Sequence, residues 1–239
     1  MEKLRLDKIV SATGLYSRRE VKALVRQGRI LADGRVVRSA DEKFDPEGTE
    51  LLLDGRRVDY QEYTYLMMNK PAGVLSATED DKGRTVLSLL PPELQKRNLF
   101  PVGRLDKDTE GLLLLTNDGP LAHELLAPRH HVDKVYFAQV DEEIEEADCR
   151  AFAEGMTLGD GLRCMPAQLR IGGAPDTCYV TLQEGKFHQV KRMLASRGKP
   201  VKYLKRLQMG NLTLDSALPP GAFRFLSSEE LESLKNFGK

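Results

Sequence analysis

The chain has 239 residues, and its 36 Lys and Arg offset its 36 Asp and Glu to a formal charge of zero. With 41% hydrophobic and 30% charged residues it has the composition of a globular chain with a buried core, which excludes collagen-like and disordered classes. A zero total also argues against a uniformly basic nucleic-acid binder.

Met1-Glu2-Lys3-Leu4-Arg5 has no apolar signal core, so a cytoplasmic location is expected. Leu6, Ile9 and Val10 then recur at helical spacing, up to a break at Thr13-Gly14. Ser17-Arg18-Arg19-Glu20 reads as a capping box, opening a helix with Val21, Leu24 and Val25 on its buried stripe and Gly28 at its C′ position. Arg18, Arg19, Lys22, Arg26 and Arg29 fall on the remaining surface. Residues 1–38 hold 10 basic and 4 acidic side chains, a net of +6. Arg29 to Val37 alternates around Asp33-Gly34, a hairpin signal, and Leu51 to Val58 is a strand broken by Asp54-Gly55. Residues 39–62 carry a net of −5.

Gln61 to Tyr65 reads as a linker, Leu66-Met67-Met68 as a strand, and Asn69-Lys70-Pro71-Ala72-Gly73 as the turn that ends it. Thr85 to Leu90 is expected to be a short helix closed by Pro91-Pro92. Next comes the most informative stretch, Gly103-Arg104-Leu105-Asp106-Lys107-Asp108-Thr109-Glu110-Gly111, followed by the apolar run Leu112 to Leu115. That run is the longest purely aliphatic one and is far shorter than the roughly 20 residues of a membrane span. A polar loop between glycines, feeding a buried strand, holds its side chains well and makes Arg104, Asp106 and Asp108 candidates for chemistry. Asn117-Asp118-Gly119-Pro120 can cap a helix from Leu121 to Leu126.

Three bottom-up readings of the loop compete. Asp106, Asp108, Glu110 and Gly111 occupy positions 1, 3, 5 and 6 of a calcium loop, but Asn117 stands where the bidentate Glu is needed. Asp106 and Asp108 could form a glycosidase pair, although no aromatic platform lies near them in sequence. The bland reading is a solvated acidic turn. Further along, residues 141–154 carry a net of −6 and residues 186–206 a net of +8. Two separated basic stretches suit an extended anionic partner, and ordinary solvated helix faces are the competing reading. Ser227 to Glu230 forms a second capping box, with Leu231 and Leu234 on the buried side. Cys149, Cys164 and Cys178 are odd in number and match no zinc spacing, so reduced thiols are expected. His130, His131 and His188 lack a completing ligand set. No metal is expected, and His188 reads as a structural hydrogen-bonding residue.

Two resemblances sharpen these readings. Leu4-Arg5-Leu6-Asp7-Lys8, Ser17-Arg18, Leu24 to Ile30 and Asp33-Gly34 together resemble the S4 RNA-binding domain. Gly103-Arg104-Leu105-Asp106 with Thr109 and Gly111 resembles the catalytic motif of pseudouridine synthases. Asn69 to Gly73, Glu184 to Met193, and Leu204-Lys205-Arg206 leading to Gly210 are similar to that family in order. The run Ala127-Pro128-Arg129-His130-His131 before Lys134-Val135-Tyr136 resembles the RsuA-type branch, which acts on small-subunit ribosomal RNA.

The resemblance implies an α+β chain: a small S4-like α+β (alpha-L) domain over 1–60, then over 61–239 a pseudouridine synthase fold with a mixed, largely antiparallel sheet. It implies a cofactor-free isomerase with Asp106 as the catalytic residue. Arg104, Tyr136, Lys191 and Leu204 support it, and Arg192 replaces Lys191 if the register differs by one. Without the resemblance, Tyr136 would read as core. Arg5, Lys8, Arg18, Arg19, Lys22, Arg26, Arg29, Lys186, Arg192 and Arg206 are the implied RNA contacts, and Asp108 is expected either to stand behind the catalytic residue or to face solvent. The implied partner is 16S ribosomal RNA or the assembling small subunit, bound by a monomer with no membrane role. A synthase for large-subunit RNA and a non-catalytic assembly factor are the alternatives.

Overall fold

The computed structural model describes residues 2–81, 83–127 and 130–237. Pro128 and Arg129, part of the branch motif, lie outside the described residues. The chain divides into two compact units, Met1–Thr64 with Leu90–Leu99, and Tyr65–Leu89 with Phe100–Lys239. Segment 90–99 therefore interrupts the stretch that the sequence reads as one continuous second domain.

In the smaller unit, β1 (Leu4–Arg5) leads into α1 (Leu6–Ser11) and α2 (Arg18–Arg26). Both bonds of the Ser17 capping box form, and Gly28 sits at C′ with φ +67°. Then come β2 (Ile30–Ala32), β3 (Arg35–Val36), β4 (Lys43–Phe44), β5 (Leu51–Leu53) and β6 (Arg56–Arg57). β4 pairs with β1, and the other four form a sheet of order β3-β2-β5-β6. Asp33-Gly34 and Asp54-Gly55 all adopt positive φ, the requirement of the tight turns that join these hairpins. Leu6, Ile9, Val10, Val21 and Leu24 pack on Ile30 and Leu51 as one core.

The larger unit begins with β7 (Tyr65–Lys70), which extends through the two residues that the sequence assigns to the following turn. The expected helix at 85–90 is a single 3-10 turn, Val86–Leu89. Pro91 and Pro92 do not close it. They open α3 (Pro92–Gln95), which belongs to the smaller unit and in whose first turn a missing amide costs nothing. β8 (Phe100–Pro101), β9 (Glu110–Thr116), α4 (Gly119–Leu126), β10 (Lys134–Val140) and α5 (Glu146–Glu154) follow. Asp118 caps α4 by accepting from the Leu121 amide at 3.0 Å. The chain continues through β11 (Met156–Thr157), β12 (Arg163–Cys164), β13 (Gln168–Ile171), β14 (Thr177–Leu182) and α6 (Gln189–Ser196). It ends with β15 (Val201–Met209), β16 (Leu212–Thr213), β17 (Phe223–Phe225) and α7 (Ser228–Lys235), whose Ser227 capping box is complete.

The main sheet has nine strands, seven of them in the order β13-β14-β10-β15-β9-β7-β17. Every pairing is antiparallel except β15 with β9. This is the mixed, largely antiparallel sheet that the resemblance implies. β9 is buried on both faces, as its unbroken leucines require, whereas β10 buries alternate residues. Among the described residues no helix is long and apolar enough to cross a membrane.

The parallel junction fixes the end of the Asp106 loop. Gly111 has φ +104°, and a Cβ there would lie 2.2 Å from the Arg206 carbonyl oxygen and 2.8 Å from its nitrogen. Neither backbone atom can move without breaking the β9–β15 pairing. Gly111→Ala should therefore lower unfolding free energy by about 2 kcal/mol or more. Gly34→Ala, also at positive φ but facing open space, should cost only about 1 kcal/mol, with urea melts comparing the two.

Candidate active site

The loop from Arg104 to Thr109 is pinned from beneath. Lys70 is fully buried at the end of β7, and its ammonium donates to the carbonyls of Pro71 (3.0 Å), Asp106 (3.0 Å), Lys107 (3.3 Å) and Thr109 (2.8 Å). Ser76 Oγ donates to the Leu105 carbonyl at 2.9 Å and accepts from its amide at 3.1 Å. The Gly73 amide donates to the Lys107 carbonyl at 2.7 Å. Burial pushes the Lys70 ammonium down to about 8, against the pull of Asp108 and Asp106.

Above this base, Asp106 presents a carboxylate whose Oδ2 lies 3.0 Å from Lys191 Nζ and whose Oδ1 lies 3.5 Å from His188 Nε2. Lys191 also meets Asp108 Oδ1 at 2.5 Å. Burial alone would lower the Lys191 ammonium, but its bonds to Asp108 and then Asp106 outweigh that and hold it above its ordinary value. Lys191 in turn holds the Asp108 carboxyl below its ordinary value. Asp108 faces solvent at 75% exposure yet shares the cation of Asp106, a link the spacing does not suggest. Of the two basic neighbours, Lys191, in the first turn of α6, meets Asp106, while Arg192 turns away to Asp160 at 2.5 Å.

The cleft holding this carboxylate encloses about 60 Å³ and has Arg104, Tyr136, Leu204, Leu182, Thr109 and His188 in its walls. Tyr136 on β10 and Leu204 on β15 form its sheet-facing side, so the tyrosine is at once core and wall. Arg104 is exposed and makes no ion pair among the described residues. His188, structural on the sequence reading, stands at the cleft instead. It occupies the left-handed region (φ +50°) ahead of α6, stacks on the 75% exposed Phe187 ring at 3.8 Å, and faces Asp106. Nothing local in the sequence signals that placement, nor the four-carbonyl seat of Lys70.

The basic residues expected to meet RNA separate into three groups. Lys8, Arg18, Arg19, Lys22 and Arg26 are exposed, with no ion pair among the described residues. Arg5 is paired with Asp7 and Asp41, Arg29 with Asp54, Lys186 with Glu184, and Arg192 with Asp160. Arg206 contradicts its expected place in an exposed basic stretch. It is 1% exposed, because it points to the buried side of β15, and its Nε donates to the Leu112 carbonyl at 2.9 Å. Among the described residues no cluster of His, Cys, Asp and Glu has the makings of a metal site. Cys164 and Cys178 are buried, Cys149 is half-buried, and all three are free thiols.

Comparison with known proteins defines the class. The family described as RNA pseudouridylate synthase matches residues 64–196, and the S4 domain matches residues 4–51. The chain belongs to the RNA pseudouridine synthases, isomerases that convert uridine in RNA to pseudouridine, and carries an S4 domain in front. It is 47% identical over 97% of its length, and 98% of the relative's, to YtzG of Bacillus subtilis (strain 168), an "Uncharacterized RNA pseudouridine synthase". It is 37% identical over 98% of its length, and all of the relative's, to the "Ribosomal small subunit pseudouridine synthase A" of Vibrio parahaemolyticus. A crystal structure of a pseudouridylate synthase superposes with TM-score 0.68 and 34% identity, covering 97% of this chain and 99% of that one.

The buried clamp has a pH signature. The unfolded value of a lysine is 10.5, so the folded chain releases the Lys70 proton first. The charged clamp is complete below about pH 8 and lost above it, while linkage through this group alone makes the folded state more stable as pH rises from about 8 to 10.5 and adds nothing further beyond. Lys70→Met should slow single-turnover pseudouridine formation at least about tenfold by loosening the loop. It should also remove an alkaline fall in the wild-type rate centred near pH 8, as pH–rate profiles of both proteins would record.

Proposed function

We propose that Asp106 performs the chemistry and that the substrate is a specific uridine of small-subunit (16S) ribosomal RNA. The observation that carries the catalytic assignment is the Asp106 carboxylate, 3.0 Å from Lys191 in a cleft walled by Tyr136 and Leu204. The ion pair aims the carboxylate at a ribose in that cleft, where it acts at C1′ as nucleophile or at C2′ as base. The N1–C1′ bond breaks, the uracil turns, C5–C1′ forms, and the proton that C5 gives up is matched by the one N1 gains, with no redox change and no need of a cofactor. Tyr136 packs against the extruded base. The free guanidinium of Arg104 compensates for the stacking that the base gives up, a disruption costing a few kcal/mol.

Small-subunit specificity is supported by end-to-end similarity to the Vibrio protein named for that substrate. Such an enzyme works in the cytoplasm, on 16S RNA or on the assembling particle, and as a monomer. The S4 domain supplies Lys8, Arg18, Arg19, Lys22 and Arg26 as phosphate contacts, their charges not taken up by ion pairs among the described residues.

Asp106→Asn should fold and bind RNA normally but lose at least about 10³-fold in rate. Mapping pseudouridine in both ribosomal RNAs after incubation with the wild type should find the new residue in 16S. Its appearance in 23S alone would replace the substrate assignment, and a fully active Asn variant would remove the mechanism. The double replacement Arg18→Gln with Arg19→Gln should leave the chemical step intact. It should flatten the log–log salt dependence of RNA affinity by about 1.4, roughly 0.7 for each phosphate left without its cation on a single strand.

A further inference from the structure

Beside the Asp106 cleft, and sharing Arg104, Tyr136 and Lys186 with it, lies a hollow of about 490 Å³. Its size falls within the ~300–1,000 Å³ of small-ligand sites. Lys134 and Arg206 also line it, and both are more than nine-tenths buried. The sheet brings them together. Arg206 on β15 pairs directly with Tyr136 on β10, and Lys134 is two residues from Tyr136, so all three share one face.

Neither cation meets a carboxylate among the described residues. Lys134 donates to the carbonyls of Val132 (3.0 Å) and Gln183 (3.4 Å), using two of its three donors. Arg206 directs Nε to Leu112, while one terminal nitrogen of its guanidinium is buried with no partner. Burial first, and the charge of Arg206 second, push the Lys134 ammonium down to about 8. Glu184 also borders the hollow but is already engaged by Lys186 (2.8 Å), Gln189 (2.5 Å) and the Met165 amide (2.8 Å). A structural strut would need one buried cation with its donors satisfied. Two neighbouring cations lining one hollow, one of them with an N–H that meets no acceptor, suit an anion instead.

We propose that this hollow is a buried phosphate site, in which Lys134 and Arg206 take one phosphodiester group of the RNA adjoining the target nucleotide. A guanidinium fork and an ammonium are the usual partners of a phosphate, and Arg104 and Lys186 complete its mouth. Docking there would fix the backbone beside Tyr136, so that the ribose enters the cleft in one register. The assignment rests on the Asp106 cleft being the place where RNA reacts.

The test uses the full-length protein, with wild type and Lys134→Met unfolded thermally in sodium phosphate and in sodium chloride of equal ionic strength. Phosphate should raise the wild-type Tm above its chloride value, and this increment should shrink in Lys134→Met to the general stabilisation that an excluded kosmotropic anion gives any fold. Lys134→Met should also bind a 16S RNA transcript about tenfold more weakly, with a salt slope shallower by about 0.7. Equal wild-type Tm values in the two salts, or the same phosphate increment in both proteins, would overturn the site. A smaller increment in the variant with unchanged RNA affinity and slope would assign the site to a free anion and overturn the RNA assignment. A wrong substrate or a dispensable Asp106 would leave the phosphate increment intact, so the two failures are distinguishable.

Discussion

The ammonium of Lys70, shut away from solvent, draws four backbone carbonyls toward one point, and three of them belong to the loop that carries Asp106. Only Leu105 and Thr109 of this loop are buried, and its other side chains face outward, so packing alone does not hold it. What fixes it is electrostatic: carbonyl oxygens near a desolvated cation are held far more firmly than they would be in water. Gly111 closes the loop at its other end by letting β9 approach β15 without a Cβ between them. The direction of the Asp106 side chain follows from these two constraints, and Lys191 then needs only to reach a carboxylate already in position.

The features legible in the sequence are those whose causes lie within a few residues. The Ser17 and Ser227 capping boxes join residues three apart, and Asp33-Gly34 encodes a turn through its own φ preferences. The loop from Gly103 to Gly111 is marked by its flanking glycines and the leucine run behind it. Features that depend on chain segments meeting across the fold are not legible. The partners of Lys70 lie 36 to 39 residues away, apart from its own neighbour Pro71. The rim position of His188 depends on how the turn before α6 meets the Asp106 loop. The reversal at Pro91-Pro92 has a different source, since proline is suited both to ending one turn and to opening the next.

Arg206 shows most plainly where a charge count misleads. Within 186–206 it is one of eight cations with no acid among them, and the stretch reads as one basic face. Residues 201–209 form a strand, however, and a strand sends adjacent side chains to opposite sides. Lys205 and Arg206 therefore cannot share a surface, and the register of β15 against its neighbours determines which of them is inside. The central place of β15, between β10 and β9, buries Arg206.

Neutrality of the whole chain takes on a definite meaning once its cations are sorted by environment. Some are cancelled by acids of the same chain, as Arg29 is by Asp54 and Arg192 by Asp160. The exposed cations of α1 and α2 are not cancelled, and they offer a polyanion a local, salt-sensitive foothold. A third set, Lys70, Lys134 and Lys191, is partly or wholly withdrawn from solvent around the cleft. Charges in this last set act over short distances with little screening, so they orient groups rather than attract RNA from afar. Attraction and orientation are thus assigned to different residues.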